Sequence, residues 1–228
     1  MCSPSSHPER SSNTFPPQDI ISLIPAEPMY QAAYQHAVQE LHPSILKHSL
    51  RTYLYASKVA SQESLPHSRD AHLRTLLFIV CIFHDIGTSE TYNTGPVRFE
   101  IEGADAAVKF LIQYPEEFSE ADKQDVWTAI AVHDAPQIAE RISPLARLVR
   151  LGVLIDFKRG DGLEMVSPCH VDETERLLPR HNIEKYLGDA IVAQAVRCPE
   201  KAPRACWPGG LYRAHLEDPG REGVNKAF

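Results

Sequence analysis

His84 and Asp85 stand side by side at the end of an apolar run, Leu-Leu-Phe-Ile-Val-Cys-Ile-Phe-His-Asp-Ile-Gly. A carboxylate buried without a partner is strongly unfavourable, so Asp85 must be paired or must hold a cation. Neighbouring residues on a helix diverge by about 100°. At a helix end, however, both side chains can reach one ion. An imidazole nitrogen beside a carboxylate oxygen suits a borderline divalent metal. Two further residues fit the same chemistry. His48 sits within Lys-His-Ser-Leu-Arg-Thr-Tyr, and Asp156 closes the apolar stretch Leu-Gly-Val-Leu-Ile-Asp. His48, His84, Asp85 and Asp156 form a four-donor set drawn from three helices. Each has a plainer reading alone: a structural His–Asp pair, a core or surface histidine, an aspartate paired with Arg150 or Lys158. Their joint occurrence on apolar backgrounds favours the metal.

The elements that must position these donors follow from proline. The chain has 18 prolines, and none can continue a helix interior, so the windows between them mark the helices. Helices are expected over 28–41, 43–61, 68–86, 100–114, 119–134, 144–158, 170–178 and 182–197. Pro28 and Pro43 suit first-turn positions, Ser68 and Ser119 suit N-caps, and Gly87 suits a helix stop. In the second helix Leu46, Leu50, Tyr53 and Leu54 lie on one side. The third, apolar all round, is expected at the centre of the core. Val126, Ile130 and His133 share one face, so His133 is either a core histidine or a group beside the metal. No hairpin signal and no period-two alternation occurs. The expected fold is all-α, a single domain of about eight helices. Residues 1–18 are expected to be flexible, 19–198 to form the helical domain, and 199–228 to wrap over it irregularly.

Composition limits the function classes. The chain has 228 residues with 30 acidic against 23 basic, a formal charge of -7, which disfavours a nucleic-acid partner held through phosphates. No apolar run reaches the length expected of a membrane span. Five cysteines, Cys2, Cys81, Cys169, Cys198 and Cys206, are odd in number and contain no CxxC, so neither a disulfide framework nor a zinc ribbon is expected. With no secretory signal in its opening residues, the chain is read as cytoplasmic. Its helical surfaces are compatible with a homodimer.

The order His48, His84-Asp85, Asp156 resembles the HD-domain superfamily of helical metal-dependent enzymes, over roughly residues 30–195. Within it the local text is most similar to the cyanamide hydratase group: His48-Ser-Leu-Arg-Thr-Tyr53, His84-Asp-Ile-Gly-Thr88, Arg98-Phe-Glu-Ile-Glu-Gly-Ala104 and Ala129-Ile-Ala-Val-His133. The resemblance implies that His48, His84, Asp85 and Asp156 ligate one metal, zinc by preference, with iron or manganese as alternatives. Two-metal relatives carry two further histidines before the last aspartate. Here only His133 lies there, which implies a mononuclear site.

The activity implied is addition of metal-activated water to a small nitrile such as cyanamide, giving urea. Asp85 would relay the proton, and His133 would donate to or orient the substrate. Thr88, Phe99, Glu100 and Arg51 are candidate substrate contacts, Thr88 also being suited to satisfy local backbone. A second reading is a phosphohydrolase with Arg51 and Arg98 as phosphate anchors. Some nucleotidases of this type carry a glutamate three residues after the motif aspartate, where this chain has Thr88. A third is a metal-stabilised helical module without activity.

Overall fold

The computed structural model describes residues 22–220, so the N-terminal segment expected to be flexible lies outside them. Ten α-helices and no strands occur among the described residues. They are α1 (Pro28–Glu40), α2 (Pro43–Gln62), α3 (Ala71–Phe83), α4 (Phe99–Leu111) and α5 (Glu120–Ala131), then α6 (Ala139–Ile142), α7 (Pro144–Asp156), α8 (Pro168–Leu177), α9 (Ile183–Arg197) and α10 (Trp207–Glu217). Their starts follow local chemistry. Proline opens α1, α2, α7 and α8, where its missing N–H has no helical acceptor to lose. Ser119 and Asp122 form a reciprocal capping box on α5, and Ser143 caps α7 through the Ala146 amide.

Helix α3 is the centre. Every residue from Leu76 to Phe83 is buried, and α1, α2, α4, α5 and α7 all pack against it. The window Ala71–Thr88 has the length and composition of a membrane span, which corrects the sequence reading, and 72% of it is buried inside the protein as a core helix requires. The helix starts at Ala71 with Asp70 as cap, while Ser68 belongs to a 3-10 turn. It ends at Phe83, and Gly87 lies in the next 3-10 turn, Ile86–Thr88.

Three other differences have physical causes. The buried stripe of α2 runs through Ile45, His48, Ser49, Thr52, Tyr55, Ala56 and Val59, leaving Leu46, Tyr53 and Leu54 half-buried. Polar residues share that stripe, while Leu50 is buried and Leu46, Tyr53 and Leu54 pack against the core at its margin. The helix number exceeds eight because α6 has only four residues and because α10 forms within the stretch expected to be irregular. Pro208 occupies the first turn of α10, where it is tolerated, and Gly209 lies so close to the Pro203 carbonyl that a Cβ would not fit.

The α2–α7 contact sets the distance between His48 and Asp156. A Cβ on Gly152 would stand 2.5 Å from the Thr52 carbonyl oxygen. Gly152→Ala is therefore expected to push α7 off α2 and cost about 1–3 kcal/mol, read as a lower denaturant midpoint.

Candidate metal centre

Helix α2 supplies His48 from its buried stripe. His84 caps the C-terminus of α3, and Asp85 turns out of the helix into the following 3-10 turn. The end of the helix is what lets both adjacent residues face one point. Nε2 of His48 and Nε2 of His84 are 3.2 Å apart. Asp85 Oδ2 lies 3.2 Å from the His84 nitrogen and 3.5 Å from the His48 nitrogen. All three residues are buried, and the three ligand atoms lie within 4.8 Å of one another.

The protons of these rings follow from their outer partners. His84 Nδ1 is 2.8 Å from the Cys81 carbonyl oxygen, so it donates there. His48 Nδ1 is 2.6 Å from Asp156 Oδ2, a carboxylate, so it also donates. In the neutral rings both Nε2 atoms then carry lone pairs, which face each other across 3.2 Å. Asp85 Oδ2 is itself buried with no hydrogen-bond partner. Converging lone pairs and an orphaned carboxylate oxygen call for a positive charge between them, and this donor set fits a divalent metal. Burial pushes the Asp85 carboxyl up, but His84, His48 and His133 outweigh it and hold the group well below the usual carboxylate range. Burial lowers His84 too, yet Asp85 outweighs it and His84 is raised on balance. His48 is lowered, chiefly by burial. Protons and a metal compete for the same lone pairs, so metal affinity falls as pH falls.

Asp156 is not among the converging ligand atoms. It lies on the Nδ1 side of His48, opposite the nitrogen that faces Asp85, and its oxygens are taken. Arg51 donates to Oδ1 at 2.6 Å and to Oδ2 at 2.9 Å, and Arg180 is 3.3 Å from Oδ1. Arg51 further donates to the Leu178 carbonyl at 3.0 Å. The sequence reading put Asp156 in the ligand set, and its pairing alternatives were Arg150 and Lys158. In the structure Arg150 pairs with Glu140 and Lys158 with Glu175. Arg51, named above as a candidate substrate contact, is fully buried in this network.

Next to the centre stands His133, just past the end of α5. Its ring meets His84 at 4.9 Å between centroids, and its Nε2 is 3.8 Å from Asp85 Oδ1. Its Nδ1 donates to the Ile130 carbonyl at 2.7 Å. Burial, then the charge of His84, lowers its pKa to about 4. With Nδ1 donating, Nε2 of the neutral ring is an acceptor turned toward Asp85. Phe99 packs edge-on against His133 and also against Trp207 of α10. Thr88 donates its hydroxyl to the Asp85 carbonyl at 2.7 Å, a local backbone role. Glu100 is fully buried and bound by Arg98, with Asp134 adjoining. Burial, then the charge of Asp134, raises Glu100 to about 7. The surface cleft lined by Met29, Tyr30, His72, Thr75 and Phe118 holds none of these residues.

Sequence reasoning missed Arg180, Asp134 and Gln194. Gln194 of α9 is buried and donates to the Gly87 carbonyl at 2.8 Å, holding the turn that carries Asp85. No periodic signal marks it, since a single glutamine on a helix reads as surface. Gln194→Leu leaves that carbonyl unsatisfied and is expected to cost about 1–3 kcal/mol, measured by denaturant unfolding.

Helical architecture and a buried His-His-Asp cluster that could hold a metal ion define the class, that of an all-helical protein with a candidate metal site. In comparison with known families, residues 45–152 match the family model described as HD domain. The match is consistent with a metal-dependent protein of that superfamily. The matched residues include His48, His84, Asp85 and His133 and stop short of Asp156. No curated protein matches the chain.

Proposed function

We propose that the protein is a metal-dependent hydratase that adds water to a small uncharged nitrile such as cyanamide, giving urea. The observation that carries this reading is the state of the arginines. Arg51 and Arg180 are bound to Asp156, Arg98 to Glu100, and Arg150 to Glu140. A phosphate ester needs cationic anchors, and these are already committed to carboxylates. Glu100 and Asp134 further disfavour an anion beside His133. An uncharged substrate meets neither obstacle.

His48, His84 and Asp85 would hold the metal, with zinc the proposed ion and iron or manganese the alternatives. When bound, a divalent ion supplies Lewis acidity and lowers the pKa of a water from about 15.7 to about 7. Asp85 accepts the proton that the attacking water loses, at Oδ1, the oxygen nearer His133. That proton passes to the nitrile nitrogen as the carbon–oxygen bond forms, and the resulting isourea becomes urea when its hydroxyl proton moves to the same nitrogen. Phe99 and Trp207 wall the site and exclude bulk water. The proposed partners are small molecules in the cytoplasm, with no nucleic acid and no membrane, and a homodimer is compatible with this reading. Four cysteines among the described residues are unpaired, in keeping with a reducing compartment.

The test is an assay of zinc-loaded protein against cyanamide and against nucleoside monophosphates. Urea release is the expected result. Phosphate release without urea overturns the hydratase in favour of a phosphohydrolase, and tightly held metal with neither product favours a metal-stabilised module.

A further inference from the structure

The candidate metal centre is sealed. His48 and His84 are 0% exposed, Asp85 1% and His133 3%, so an ion or a small molecule reaches them only when an element moves. The loop 89–97 has the features of that element. It leaves the turn that carries Asp85 and returns to the start of α4. Its two ends lie together, since a Cβ on Gly87 would collide with the Phe99 carbonyl. Only Ser89 and Asn93 of the loop are buried, and neither is apolar. Among the described residues, no main-chain hydrogen bond joins the loop to an element beyond the turn it leaves. Side chains hold it instead. On one side α1 offers Glu40 to the Ser89 hydroxyl and His36 to the Tyr92 hydroxyl. On the other, three residues from one stretch clasp it. Gln194 donates to the Gly87 carbonyl at 2.8 Å, and Lys201 donates to the Val97 carbonyl at 2.6 Å. Arg197, between them, reaches the Asn93 carbonyl at 3.3 Å and the Glu90 carboxylate at 3.4 Å. Gln194 and Lys201 are buried, so firm ties pin the two ends. The Arg197 and Glu90 side chains are 52% and 85% exposed, so the middle is held by a pair that water weakens. Asn93 Oδ1 is buried with no hydrogen-bond partner, so the closed loop leaves one acceptor unanswered. Few buried apolar contacts and exposed ties are the marks of a segment that opens without global unfolding.

We infer that loop 89–97 is the gate to the buried centre, with Gln194 and Lys201 fixing its ends and Arg197 acting as its latch. This rests on the metal-dependent reading above and adds how an ion or substrate enters the same site. When Arg197 releases Glu90 and Asn93, the middle of the loop swings out. Asp85 stays in place, because Gln194 holds its turn. All three clasp residues lie beyond the residues 45–152 that the family model matches. A gate changes how fast an ion enters and leaves, not how tightly the closed site holds it. Entry and release both scale with the open fraction, so their ratio is unchanged.

The test uses the full chain and Co2+, with uptake followed by stopped flow, release followed into excess chelator, and affinity measured by chelator competition. Arg197→Met is expected to raise both the uptake and the release rate about 3–10-fold, the effect of losing one exposed pair and one hydrogen bond, with Kd unchanged within about twofold. Arg197→Lys keeps a cation opposite Glu90 and is expected to fall between Arg197→Met and the wild type. Amide hydrogen exchange in 89–97 is expected to quicken in Arg197→Met. Arg147→Met breaks a different surface pair, with Glu63, and is expected to leave both rates at the wild-type values. The inference is overturned if Arg197→Met leaves both rates unchanged, if it speeds release alone with affinity lost in proportion, or if Arg147→Met accelerates exchange equally. A wild-type chain that takes up no Co2+ overturns the metal reading, whereas one that binds it with rates indifferent to Arg197 overturns the gate alone.

Discussion

Arg51→Met is expected to lower stability by about 3–5 kcal/mol, the cost of leaving a buried charge without its partner. Arg51 is fully buried, and its guanidinium bonds both oxygens of Asp156 and the Leu178 carbonyl. Methionine of similar length fills the space but answers none of them. Asp156 would retain His48 and Arg180, which is why the loss is bounded. The denaturant midpoint measures it, and a shift below about 1 kcal/mol would show that Arg180 alone suffices. Burial raises the Asp156 carboxyl, but His48 and Arg51 outweigh it and hold the group below its ordinary value of 3.8. A depressed acid contributes stability that is present above its unfolded pKa and lost as pH falls below it. Arg51→Met is therefore expected to flatten the fall in stability below about pH 4, a second readout from the same unfolding series.

His84→Ala is expected to abolish metal binding, from one ion per chain to near none after dialysis, and with it the activity. His84 is the hub of the cluster, since its Nε2 is 3.2 Å from both the His48 nitrogen and Asp85 Oδ2. Without it the remaining donors stand on separate elements, and none closes a chelate with a neighbour. Elemental analysis gives the stoichiometry, and far-ultraviolet circular dichroism shows whether the helices persist. Full metal occupancy in a folded His84→Ala protein would remove His84 from the donor set.

His84-Asp85 was legible in the sequence because the eight residues before it are apolar, and two ionisable groups stand out against such a run. The all-helical class followed from proline spacing and serine caps, which are local signals. Partnership was not legible. Asp156 meets Arg51 across the α2–α7 contact and Arg180 across the end of α8, and no local pattern states either pairing. The full width of the buried face of α2 was not legible, because it also carries Arg51 and Thr52, residues that an apolar count treats as surface. Helix α10 was missed because Pro208 and Gly209 read as loop residues, whereas one opens the helix and the other allows a close approach to Pro203.

The network around Asp156 also bears on the order in which the chain is made. His48, His84, Asp85 and His133 leave the ribosome well before Leu178 and Arg180, which close the network around Arg51 and Asp156. Nascent chains arrested before Leu178 are expected to take up metal more weakly than chains arrested beyond α10, and equal uptake would sink the idea. The candidate donors are synthesised early, but the brace that fixes His48 arrives last, so on the proposed reading a firm metal site is complete only near the end of translation.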